Sequence, residues 1–179
     1  MGKCTTLDKT KTEMEANDTT IADNTTLAND IRVKLKGNYN TSLPGLAIGS
    51  TPENVANVAF DFQVGGIRYT KAAVAAGTAP GNDVVPVDLY GAVALDIDAA
   101  GTITVAEAAA NSTGYASAAL ALAGIPAVAA TKTRMGTVSV IRATAGAFTF
   151  GATSLADGDT TVVYTDGQTA FEAIGAAVT

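Results

Sequence analysis

Residues 89–107 read LYGAVALDIDAAGTITVAE, and the fold follows from how this run alternates. Val93, Leu95 and Ile97 are interleaved with Ala94, Asp96 and Asp98. After Ala99-Ala100-Gly101, Ile103 and Val105 are interleaved with Thr102, Thr104 and Ala106. Period-two apolar spacing on both sides of a short Asp/Gly turn predicts a β-hairpin. A helix would need a repeat nearer 3.6, which neither arm has.

Working outward, the same texture recurs. Val58, Phe60 and Phe62 alternate within Val55–Val64, Gly65-Gly66 supplies a hairpin turn, and Ile67–Ala75 returns. Ala76–Asp83 (AGTAPGND) is the clearest break, set as a soft boundary or a loop within one domain. On the far side, Ser112 and Thr113 are placed to cap a helix over Tyr115–Ala123, ended by Gly124 and Pro126. Met135–Ile141 reads as a strand with Met135, Thr137, Ser139 and Ile141 opposed by Gly136, Val138 and Val140. Ala143–Gly146 turns it and Phe148–Phe150 returns. Asp157-Gly158-Asp159 then leads into a last strand, Thr160–Tyr164. The expected fold is mainly β (α+β): a hairpin-rich body, an N-terminal helical or extended arm, and one short alanine-rich helix. The segments are 1–36 (arm or stalk and first strand), 37–83 (β-rich) and 84–179 (hairpin domain with the helix).

The N-terminus has its own period. Leu7, Met14, Ile21 and Ala28 fall seven residues apart, as one core position of a coiled coil does. Three residues after each come Thr10, Asn17, Asn24 and Ile31. Asparagine in a coiled-coil core fixes register and oligomer state at a cost in stability. The expected oligomerisation residues are Leu7, Met14, Asn17, Ile21, Asn24 and Ala28. Ile21-Ala22-Asp23-Asn24-Thr25 resembles the I-x-x-N-T motif of trimeric coiled-coil stalks in adhesins and fibres, whose asparagines face an axial anion. The preceding heptad matches in part, Asp18 standing where that motif has threonine. An extended arm ordered on a partner and a disordered arm stay open beside the stalk, since threonine has low helix propensity and DTTIAD/NTTLAN repeats at six residues rather than seven. From Asp30 to Gly37 the period switches to two: Ile31, Val33 and Leu35 alternate with Arg32, Lys34 and Lys36, as in a half-buried edge strand.

Charged residues are 16% of the 179, against roughly a quarter in an average globular protein. Residues 1–36 are charge-balanced, so residues 37–179 carry the whole net charge of −6. An acidic body repels phosphate backbones, which argues against nucleic acid as a partner. Arg32, Lys34 and Lys36 form the one basic cluster, read as a solvated strand face or a docking patch for an acidic partner. With one cysteine, Cys4, and no histidine, the chain has no disulfide framework and none of the ordinary zinc ligand sets. The N-terminus lacks an apolar signal region, and the run 115–130 is too short and broken to span a bilayer. The expectation is a soluble chain made in the cytosol, with no membrane partner.

Asp96, Asp98, Gly101, Ile103 and Glu107 occupy positions 1, 3, 6, 8 and 12 of an EF-hand-like loop. Ala100 stands where a ligand is needed, and the flanks have strand rather than helix periodicity, so a hairpin turn explains the same residues. Ser112 and Ser154 have no histidine to activate them. The glycines match neither a phosphate loop nor a dinucleotide fingerprint. The chain is therefore read as a non-enzyme without cofactor or metal.

FQVGGIRYTKAA (62–73), GAVALDIDAAGTITVAEA (91–108) and RMGTVSV (134–140) together resemble the virion proteins of tailed bacteriophages, in particular capsid decoration, cement and head-fibre proteins. The resemblance spans roughly residues 60–165 and lies in texture and order rather than in a catalytic motif. It implies a homotrimer or similar oligomer on the outer capsid, bound to the major capsid protein or other virion proteins. The alternative it carries is a tail-fibre or baseplate appendage that recognises a host receptor or glycan, for which Tyr39, Tyr69 and Tyr115 are the expected exposed aromatics.

Overall fold

The computed structural model describes residues 14–25, 28, 37–144 and 146–167. The chain divides into two units, 1–37 and 38–179. In the first, residues 14–25 form helix α1 and residue 28 is also helical. Three threonines turn their hydroxyls back onto the helix: Thr19 Oγ1 donates to Glu15 O, Thr20 to Ala16 O and Thr25 to Ile21 O, at 2.8–3.0 Å. Such back-bonding lets a threonine-rich run satisfy its hydroxyls while remaining helical. The expected strand over 31–36, with Arg32, Lys34 and Lys36, lies outside the described residues, as does Leu7.

The second unit is mostly β. Its main sheet has four strands in the order β12-β10-β8-β9, all antiparallel: β8 (Tyr90–Asp98), β9 (Ile103–Glu107), β10 (Lys132–Arg142) and β12 (Thr160–Asp166). The hairpin expected at 89–107 is β8–β9, with Leu95 opposite Val105 and Ile97 opposite Ile103. Its turn closes through Gly101 N to Asp98 O, and Asp98 Oδ1 accepts from the amides of Ala100 and Thr102.

Strand β8 is buried on both faces from Gly91 to Ile97. Val93, Leu95 and Ile97 enter the main core with Phe62, Met135, Val138, Val140 and Phe148. On the other face Ala92 packs with Ala108 and with Ala121 of helix α2 (Ala118–Ala123). Small side chains on both elements let the helix lie close against the strand.

Three smaller sheets complete the unit. β1 (Tyr39–Asn40), β4 (Phe60–Val64) and β5 (Ile67–Lys71) form one, and β2 (Ala47–Ile48), β3 (Val55–Asn57) and β6 (Val74–Thr78) another. β7 (Val84–Val85) pairs with β11 (Phe148–Thr149). The β4–β5 turn is the expected Gly65-Gly66, with φ of 60° and 84°. Two positive φ values fit the primed turns whose twist suits a hairpin, and glycine reaches them without strain. The core joins Val55–Val64 to Val85–Val140, on both sides of residues 76–83.

Local expectations fail at five places. Phe148–Phe150 does not return onto Met135–Ile141: β11 pairs with β7, and β10 has β8 and β12 as its neighbours. The return over 67–75 splits into β5, on β4, and β6, on β3, which runs to Thr78 inside the expected break. The run 55–64 is two strands, not one: it breaks at Val58-Ala59, where Val58 N donates to Pro44 O and Asn57 Nδ2 to Val58 O and Ala72 O. Val58 therefore points outward, 53% exposed. Helix α2 starts three residues later than expected and is capped by Ser117, whose hydroxyl accepts from Leu120 N, rather than by Ser112 or Thr113. Tyr115 instead bridges to Tyr90. In β10 the register shifts between Arg134 and Gly136, making Met135 an extra residue. Thr133 and the bulged Met135 are buried, and past the bulge Val138 and Val140 are. A single alternation cannot describe the strand because the bulge changes its phase.

Candidate functional site

Helix α1 presents Met14, Asn17, Ile21 and Asn24 at alternating spacings of three and four, and these positions share one face of a helix. Met14 is 65% and Ile21 56% exposed, and Ala28 also faces solvent. For residues 14–25 the helical reading of the arm holds over the extended one. An isolated helix of this length is marginal in water, and this one places two large apolar side chains on its surface.

In the second unit the carboxylates of the EF-hand-like pattern, and Asp61 and Asp157, are committed to structure. Asp96, 5% exposed, receives Arg134 Nε at 2.9 Å on Oδ1, while Arg134 Nη2 donates to Pro126 O. Glu107 Oε1 accepts from the amides of Asn82 and Asp83. The three carboxylates of the EF-hand-like pattern thus engage separate partners. Asp157 Oδ2 receives Arg142 at 2.8 Å. Asp61 accepts from Thr70 Oγ1 and Arg68 Nη2, both at 2.6 Å. The Thr70 hydroxyl first, then the Arg68 guanidinium, holds its carboxyl below the usual 3.8. Among the described residues no three Cys, Asp or Glu side chains converge as a metal would require, and no helix is long and apolar enough to cross a membrane.

The tyrosines expected to be exposed for glycan recognition are half-buried and engaged. Tyr39 OH donates to Gln63 Oε1, Tyr69 stacks on Phe62, and Tyr115 OH accepts from Ala110 N. Side-chain cross-links, not sequence periodicity, place them there.

Sequence reasoning also missed the groups that hold the bulge. Asn40 is fully buried, and its Nδ2 donates to Arg134 O at 3.0 Å and Met135 O at 3.3 Å. Gly167 N donates to the same Met135 carbonyl. A lone asparagine in Asn38-Tyr39-Asn40 carries no signal of a partner some 95 residues on.

No protein-family model matches this chain, and comparison with curated proteins and with solved structures finds no match.

Proposed function

We propose that this chain is a structural component of a tailed-phage particle, a cement or decoration protein that binds the capsid exterior as an oligomer. The observation that carries the reading is the solvent-facing Met14–Ile21 face of α1, with Asn17 and Asn24 between its apolar positions. A helix with that face gains stability by packing on copies of itself, and the asparagines set the number and register of copies. Trimerisation follows the resemblance of residues 21–25 to trimeric stalks. The body supports a scaffolding role: Asp61, Asp96, Glu107 and Asp157 are each bonded to a neighbouring strand or loop.

Arg32, Lys34 and Lys36 then serve as the docking cluster for an acidic surface of the major capsid protein or another virion protein. Several such contacts per oligomer raise the effective affinity. The test is to assemble particles without the protein and particles with a chain truncated before Gly37. Without it, capsids should assemble but rupture at lower temperature, and the truncated chain should fold yet fail to attach. Full occupancy by the truncated chain would sink the docking role. Finding the protein only on tails would sink the cement reading.

A further inference from the structure

Strand β12 ends the four-stranded sheet. β10 pairs with one of its edges, and among the described residues no strand pairs with the other. An open edge is a template for another strand, and proteins commonly blunt it with lysine, proline or a bulge. β12 has none of these. Residues 160–165 read Thr-Thr-Val-Val-Tyr-Thr, without a charge, and the register against β10 runs from Thr160 to Asp166 without a shift. Each edge strand is tied at its end by a carboxylate, Glu107 of β9 to the amides of Asn82 and Asp83 and Asp166 of β12 to the amide of Leu46, but β9 is also engaged within its length, where Lys132 Nζ donates to Thr104 Oγ1.

The phase of the ladder shows which groups the open edge offers. Gly167 N donates to Met135 O, and Ala143 N donates to Asp159 O. Odd-numbered residues here therefore turn their backbone groups towards β10. By the alternation of an antiparallel ladder, the amides and carbonyls of Val162 and Tyr164 face outward. Side chains alternate in the perpendicular direction: Val162 and Tyr164 pack on the core, while Thr161, Val163 and Thr165 face solvent, Val163 51% exposed.

Thr161-Val162-Val163-Tyr164-Thr165 is nearly palindromic in residue character about Val163. We infer that β12 is a homotypic docking edge, on which a second copy of this chain pairs antiparallel about a two-fold axis at Val163. Val162 and Tyr164 of one copy then exchange backbone hydrogen bonds with Tyr164 and Val162 of the other. Val163 meets its own counterpart in the close, non-hydrogen-bonded kind of pair, and Thr161 opposes Thr165. Matched β-branched pairs stabilise such a ladder, and no like charges oppose one another in it. The palindrome is what selects a second copy as the occupant, since an unrelated strand requires no symmetry in β12. The inference stands apart from the particle assignment and can fail without it.

The decisive experiment is register-specific cross-linking of the full chain in a Cys4→Ser background. On mild oxidation at micromolar concentration, Val163→Cys should give a disulfide-linked dimer, because only residue 163 faces itself across the axis. Thr161→Cys alone should not, whereas a mixture of Thr161→Cys and Thr165→Cys chains should. Circular dichroism establishes that each half-exposed substitution leaves the fold intact. Independently, Val163→Lys sets two ammonium groups face to face and should lower the mass measured by light scattering at least two-fold. Absence of the Val163 cross-link, or equal self-cross-linking at Thr161 and Val163, overturns the inference. So does an unchanged mass for the lysine variant.

Discussion

Arg134 and Asp96 lie opposite each other in the β8–β10 ladder, one step before the bulge, and their side chains meet at 2.9 Å in a site where Asp96 is 5% exposed. The same guanidinium reaches Pro126 O, so one cation ties two strands to the segment after α2. Removing one partner of a buried pair leaves the other without compensation. Asp96→Ala should therefore cost about 3 kcal/mol, the low end for such pairs because Arg134 retains a path to solvent. Denaturant titration should show the midpoint fall with little change in slope; a loss under about 0.5 kcal/mol would place the pair among surface bridges.

Gly124 ends α2 against Tyr115, whose ring and hydroxyl occupy the space a Cβ would need. Gly124→Ala should destabilise the body by about 1–3 kcal/mol through overpacking, even though alanine is the better helix former. Tyr115→Phe in the same chain should not restore it, because the ring remains. Thermal melts of the two variants make the comparison.

Stability should fall at both ends of the pH scale for different reasons. Asp61 has a lowered pKa in the folded state, so the unfolded chain takes up its proton first on acidification. Its stabilisation is present above the usual 3.8 and is lost as pH drops through the folded value. Tyr164 is pushed above 10.0 by burial, so the unfolded chain loses its proton first, and stability declines as pH rises past 10.0. Among the described residues its buried hydroxyl has no hydrogen-bond partner. Tyr164→Phe should flatten the alkaline limb and be neutral or mildly stabilising at pH 7, as read from melting temperature against pH.

Asn24→Ile tests the helix face. If α1 packs on its own copies, the substitution should raise the melting temperature of the helical signal and broaden the distribution of oligomer masses. Unchanged melting with unchanged mass would show that this face is not a core.

Much of the body was legible because its strands obey a local rule. Val93, Leu95 and Ile97 alternate, Gly65-Gly66 turns, and Gly124 stops the helix, each within a few residues of its cause. What could not be read depends on distant partners. The phase change at Met135 is stabilised by Asn40, and the exit of Val58 from the core depends on Pro44 and Ala72. In the arm, the seven-residue spacing of Met14 and Ile21 pointed to a helix against threonine's poor propensity, and back-bonded hydroxyls are how the helix accommodates it.

The strand order β12-β10-β8-β9 also sets a timetable for synthesis. β8 and β9 are adjacent in the chain and can zip together early, but the strand covering the other edge of β8 is β10, which emerges only after α2. Until then a nascent chain displays one unpaired side of a strand that ends up buried from Gly91 to Ile97, and non-local pairing of this kind is slow to form. The body therefore closes late in translation, and an arrested chain ending in the α2 region would leave the ribosome with β8 bare and prone to clump.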